Sequence, residues 1–282
     1  MVDCFPPGSD PAEYVRRLEA ETDAQRRRLE GLDAEDLKRV LRDQSEPTAA
    51  RQIAMEQLFL RFRKSADFGA MQVDWLADLM EDPDPPIADL AIKHCPLREE
   101  HLRARVRALL DSPRDRTRAD AAHALARVKD ETILPRLLEW LEGPSEPMRN
   151  LAIGGLQILN TPEARSTLEA AYQQGGRDEK DRTVLAMALL RLGDTRGLPL
   201  LEGVARRAKG PWSVNAAASI YDHEPLRGLE LLLHLVDQGD DEAKRCVVVR
   251  VWIWSRPRIA HPFGPEGIGE ARAWIEERMR SA

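Results

Sequence analysis

The chain has 282 residues, enough for one large domain or two ordinary ones with a sizeable core. Charged residues make up 32% and hydrophobic residues 43%, which excludes both a membrane-embedded protein and wholesale disorder. The net charge of -6 counts against a molecule that coats nucleic acid with its whole surface, though a local basic patch would survive it.

Leu (36) and Ala (35) outnumber Val, Ile and Thr together (33). Leu and Ala are strong helix formers and β-branched residues favour strands, so the composition predicts an all-α fold. Three cysteines, Cys4, Cys95 and Cys246, are too few and too far apart for a disulfide framework. They fit a reducing, cytoplasmic compartment. Residues 1–8 lack the basic region and apolar core of a signal peptide.

The first helix start is legible at Asp10, a capping residue, followed by Pro11 and by Glu13 three positions after the cap. Tyr14, Leu18 and Leu29 mark its apolar side, and Arg26, Arg27 and Arg28 form a charged segment. Gly31 stops this helix and Asp33 restarts another.

From about residue 46 the chain repeats. Short apolar segments centred on a small residue recur at Ala54, Ala91, Ala121, Ala152, Ala186, Ala216 and Cys246, with spacings of 30 to 37 residues. Such a period marks a helical repeat array. Each unit carries a second, leucine-rich segment. Leu134, Leu137, Leu138 and Leu141 fall at i, i+3, i+4 and i+7, one stripe of a helix, and Leu198, Leu201, Val204 and Ala208 nearly repeat it. Turn residues fall at the joints: Ser112-Pro113, Gly143-Pro144, Gly175-Gly176 and Gly210-Pro211. The sharpest joint runs from Asp82 to Pro86. The organisation expected is a tail with capping helices over 1–45, a repeat array over 46–255, and a loop with a capping helix over 256–282.

Leu192-Gly193-Asp194-Thr195-Arg196-Gly197-Leu198-Pro199-Leu200-Leu201 resembles the loop and second helix of bacterial HEAT-like repeats, the type also found in phycobilisome lyases. Asp130 to Pro135 has the same Asp-to-Pro spacing, followed again by a Leu-Leu pair, Leu137-Leu138. The resemblance covers roughly residues 46–255 and is best over 113–208. It implies a right-handed α-solenoid of antiparallel helix pairs with a concave and a convex surface. The physics agrees, because one helix pair cannot bury its apolar stripes alone and neighbours must stack.

Catalytic chemistry has little local support. A di-iron hydroxylase of similar repeats would need several His-Glu pairs, and only His223-Glu224 occurs. His94, Cys95 and His101 are the nearest approach to a metal cluster, but Cys-x-x-Cys and His-Glu-x-x-His are both missing, and Cys95 reads as a small core residue. His123 and His234 read as structural histidines in apolar surroundings. Gly-x-Ser-x-Gly and the glycine-rich phosphate loops do not occur either, and Gly154-Gly155 reads as a close-packing pair inside a repeat helix. Catalytic residues, cofactors and metals are therefore assigned to none.

Two basic stretches stand out. Arg98 to Arg118 carries seven arginines against four acids, and Arg103 and Arg107 share a helix face; a solvated outer face accounts for it. Lys244 to Arg258 holds five basic residues, no acid, and Trp252 and Trp254. Arg and Trp together suit anionic or planar ligands. The repeat register calls for a helix over 246–254, whereas the alternation of Arg250, Trp252, Trp254 and Arg256 would suit a strand. A single strand on a solenoid has no partner, which favours the helix. Trp140 lies off the leucine stripe, where it would touch the next repeat or line the groove.

The function expected is a non-catalytic scaffold that binds a partner protein through its concave face, with Trp140, Arg250, Trp252, Trp254 and Arg256 as the contact residues. The alternative is a nucleic-acid-binding protein, since some HEAT-like solenoids resemble DNA glycosylases with Trp in a basic groove. The net charge and the lack of a continuous basic stripe disfavour it. A chromophore lyase would rest on shared repeat type alone.

Overall fold

The computed structural model describes residues 11–64, 74–95, 97–255 and 266–281. Among these residues every regular element is helical. The chain divides into two compact units, one running to Ile133 and the other from Leu134.

The first unit contains α1 (Pro11–Leu29), α2 (Ala34–Arg42), α3 (Thr48–Lys64), α4 (Asp74–Leu79), α5 (Pro85–His94), α6 (Glu100–Ala108) and α7 (Asp115–Arg127). The second contains α8 (Leu134–Glu142), α9 (Glu146–Leu159), α10 (Pro162–Gln173), α11 (Glu179–Arg191), α12 (Leu198–Arg206), α13 (Gly210–His223), α14 (Pro225–Gln238), α15 (Asp241–Ser255) and α16 (Glu266–Ser281). The helix-or-strand question over 246–254 resolves as helix α15.

Packing follows chain order within each unit. In the second, α9, α11, α13 and α15 each touch the next in that series, and α12, α14 and α16 do the same beside them. In the first, α3, α5 and α7 form the corresponding row. Along these rows each helix meets the next member two elements on, the stacking of an α-solenoid.

The small residues mark the contacts of that row. Ala54, Ala91, Ala121, Ala152, Ala186 and Ala216 are all fully buried. Cys246 is an exception. It is half-buried, and Ala243 and Val247 are the inward residues of α15. The leucine stripe of α8 is also displaced. Ile133, Leu137 and Trp140 are buried, whereas Leu134, Leu138 and Leu141 are intermediate. Spacings of four and three put Ile133, Leu137 and Trp140 on one helix face. Ala208, read as the end of the α12 stripe, is buried but lies beyond the helix with φ of 54°.

The terminators behave as their chemistry dictates. Gly31, with φ of 87°, ends α1, and the Asp33 carboxylate accepts from the Asp36 backbone N–H at 2.8 Å to cap α2. Asp10 and Arg256 lie outside the described residues.

The Asp-to-Pro motif also has a mechanism. After α7 and α11 the chain takes a left-handed residue, Lys129 or Gly193. The next backbone N–H, from Asp130 or Asp194, donates back to Leu125 or Leu189. Asp130 Oδ1 then accepts from the Thr132 N–H at 3.1 Å, and Asp194 Oδ1 from the Arg196 N–H at 2.9 Å. These Asx turns aim the chain into a short 3-10 turn, and Pro135 and Pro199 each stand second in the helix that follows.

One buried element had no expectation attached. Three residues before the small position, Arg51 on α3 and Arg149 on α9 are 2% and 6% exposed. Arg51 donates through Nε to the Leu41 carbonyl at 2.9 Å and forks onto Asp82. Arg149 donates to the Pro144 carbonyl at 2.8 Å and forks onto Asp181. Each arginine satisfies carbonyls left by the preceding segment and grips a carboxylate at the start of the next pair.

Candidate partner-binding site

The C-terminal helices of the second unit carry the site. Asp241 and Glu242 open α15, and the Asp240 carboxylate accepts from the Ala243 N–H at 2.7 Å, fixing the helix start. Toward the end of α15, Arg250 and Trp254 stand at i, i+4, so the guanidinium reaches the indole face of the same helix. Its carbon lies 5.9 Å from the Trp254 ring centroid. Arg250 also donates to Asn215 Oδ1 of α13 at 2.9 Å.

The neighbouring helix repeats the arrangement. On α16, Arg278 sits 5.5 Å from the centroid of Trp274, again at i, i+4. The two indoles approach each other at 6.2 Å, and Tyr221 of α13 closes on Trp254 at 4.7 Å. Arg250, Trp254, Trp274 and Arg278 are thus linked by successive contacts, with Trp274 only 6% exposed beneath them and Arg278 the one exposed member. Beside it is a cleft of about 320 Å³ lined by Trp254, Ser255, Trp274, Glu277, Arg278 and Ser281.

Of the residues proposed from sequence, Arg250 and Trp254 belong to this cluster. Trp252 is two positions from Trp254, about 200° around the helix, and lies half-buried against the core. Arg256 is outside the described residues. Trp140 is only 9% exposed. The groove role expected of it is corrected accordingly, since its ring is spent on the buried face of α8. Asn215, Tyr221, Trp274 and Arg278 were not anticipated. The i, i+4 spacing of Trp274 and Arg278, the same as that of Arg250 and Trp254, was the available signal.

The other basic stretch is arranged differently. Five of its seven arginines reach carboxylates: Arg103 and Arg107 meet Glu100, Arg107 also meets Asp130, Arg105 meets Asp78 and Glu81, Arg116 meets Asp89 and Asp120, and Arg118 meets Asp115. Its positive charge is largely neutralised by acids brought in from other helices and turns of the first unit. For Asp130, burial pushes the carboxyl up, but hydrogen bonds from Thr132 and Arg107 together hold it below the usual range.

The candidate nucleophiles and ligands are engaged structurally. Burial pushes the Cys95 thiol up to about 12, which keeps it protonated and inert at neutral pH. His94 stacks on Phe59 at 4.4 Å. His234 Nε2 meets the Arg206 carbonyl at 3.2 Å. His123, expected in apolar surroundings, is instead exposed on α7. Among the described residues no group of three His, Cys, Asp or Glu side chains could hold a metal ion. Nor is any described helix long and apolar enough to cross a membrane.

Stacked helix pairs with small residues at their contacts define a helical repeat protein. More particularly, residues 102–188 match the family model of HEAT repeats. The match is to these repeats in general. No curated protein matches the chain.

Proposed function

We propose that this protein is a non-catalytic HEAT-repeat scaffold that holds a partner protein against the C-terminal helices of its second unit. The observation that carries the reading is the surface group of Arg250, Trp254 and Arg278, seated on the buried Trp274. Tryptophan and arginine dominate the energetics of protein interfaces because both combine large contact area with directional polar groups. HEAT repeats commonly mediate protein interactions, which supports the same reading. The nucleic-acid alternative is weakened by the carboxylate pairing of the Arg98–Arg118 stretch, since phosphate binding needs several cations free to release counterions.

Site-specific photo-crosslinking tests it. Ile253 is 47% exposed on α15, and Val128 is 42% exposed in the first unit. A crosslinker at Ile253 should trap a discrete protein adduct that a crosslinker at Val128 does not. Indistinguishable adduct patterns at the two positions would sink the proposal.

A further inference from the structure

A pair of acids joins two consecutive first helices of the first unit. The side chains of Asp89 on α5 and Asp120 on α7 are only 14% and 12% exposed, and the two helices pack directly on each other. One guanidinium serves both: Arg116 Nε lies 3.3 Å from Asp89 Oδ2 and 3.1 Å from Asp120 Oδ2. Lys93 Nζ is 3.9 Å from Asp120 Oδ1. The Arg116 and Lys93 side chains are themselves largely in solvent, so water screens much of what these cations contribute. Asp89 Oδ1 is buried and no donor among the described residues reaches it, while the Asp120 carboxylate is a close neighbour. A buried acceptor without a donor is costly, and two adjacent carboxylates resist double ionisation. One proton removes both penalties, because it turns Asp89 into an O–H donor toward the Asp120 carboxylate. Burial first, and then Asp120, accordingly hold the Asp89 carboxyl above the usual range.

We propose that Asp89 and Asp120 share one proton that latches α5 to α7, so that this joint between consecutive helix pairs tightens on mild acidification and loosens as the pH rises. The proton comes from water, and the pair passes from two negative charges to one. The other charges on the helices packed around the joint are engaged elsewhere. Arg51 of α3 is held by Asp82 and Asp84, Asp78 of α4 faces Arg105 of α6, and Arg107 of α6 meets Glu100 and Asp130. His123, exposed on α7, is a second titrating group near Asp120. Burial, Arg127 and Lys93 hold it below the usual histidine value, and Asp120 pulls it up. The latch and the histidine are separable by substitution.

Backbone hydrogen exchange on the full chain tests this, with protection factors corrected for intrinsic exchange and compared at about pH 7.5 and about pH 5. Amides of α5 and α7 should be at least about threefold better protected at the lower pH, while those of α12 and α13 in the second unit change by less than about twofold. Asp89→Asn and Asp120→Asn each replace the shared proton by an amide donor and should remove the difference. His123→Gln should keep it, and so should Asp222→Asn, which alters an exposed carboxylate of α13. A parent without the difference, a difference that persists in Asp89→Asn, or one that disappears with His123→Gln would each overturn the proposal. If an Asn variant does not fold, the carboxyl carbon NMR shifts of the parent decide instead. Asp89 and Asp120 should then titrate in two separated steps, and two overlapping steps in the ordinary carboxylate range would reject the shared proton.

Discussion

Arg51 and Asp82 are 31 positions apart and meet as a buried fork, Nη1 to Oδ1 at 3.1 Å and Nη2 to Oδ2 at 2.5 Å. Arg149 and Asp181 repeat the relationship at a separation of 32. In both cases the arginine also caps carbonyls of the segment before it. Each pair joins three consecutive pieces of chain, so it sets the register of one helix pair on the next.

Removing one partner should therefore be costly. Asp82→Ala leaves a guanidinium buried with Asp84 as its nearest carboxylate, 3.7 Å from Nη1. The expected loss is about 3–5 kcal/mol, and joint replacement of Arg51 by Met and Asp82 by Leu should recover most of it. Urea unfolding of the two variants against the parent decides the matter. Equal stability of single and double variants would contradict the coupling.

The small-residue contacts make a second prediction. Ala121 and Ala152 are fully buried. Ala121→Leu and Ala152→Leu should each overpack the row of first helices and cost about 1–3 kcal/mol. Thermal melts unchanged from the parent would place these residues somewhere other than at a close contact.

Two glycines should respond in opposite ways to alanine. A Cβ on Gly228 of α14 would stand 2.2 Å from the Tyr221 Cα of α13. The obstacle is backbone, so the two helices would have to separate, at a cost of about 3 kcal/mol or more. Around Gly154, in the middle of α9, a Cβ meets nothing within 4 Å. Gly154→Ala should stabilise by about 0.5–1 kcal/mol through the restricted unfolded chain and better helix propensity. The measurement is chemical denaturation of both variants, and the same sign for both would refute the geometry.

Asp89 and Asp120 provide a pH dependence. Burial first, and then the Asp120 carboxylate, push the Asp89 carboxyl above the usual range, with Arg116 and Lys93 pulling the other way. The folded protein thus holds this proton more firmly than the unfolded chain does. The favourable contribution is present below the ordinary aspartate value and is lost as pH rises through the raised one. Asp89→Asn should therefore be more stable than the parent at neutral pH. Its advantage should shrink as pH falls through the carboxylate range. Melting temperatures from pH 7 down to pH 4 check this, and an advantage independent of pH would exclude Asp89 as the source.

Much of the fold was legible along the chain because its causes are local. The surplus of Leu and Ala, the period of 30 to 37 residues, and the capping and turn residues at the joints each act within a few positions. They were enough to predict stacked helix pairs and the helical state of 246–254. The displaced stripe of α8 shows the limit. Leu134, Leu138 and Leu141 form as good a pattern as Ile133, Leu137 and Trp140, and only the neighbouring helices choose which face is covered.

What depended on the tertiary structure was pairing over distance. Two arginine-rich stretches look alike in composition. One finds acids from other helices and turns and is neutralised. In the other, Arg250 meets the Trp254 indole and Asn215 instead. Likewise Trp254 gained Trp274 and Tyr221 as neighbours, while Trp252, two residues away, was turned to another side of the helix. Period and propensity are properties of short segments. The state of a charge or a ring depends on which groups 20 to 35 positions away are folded against it, and that is set only when the helices stack.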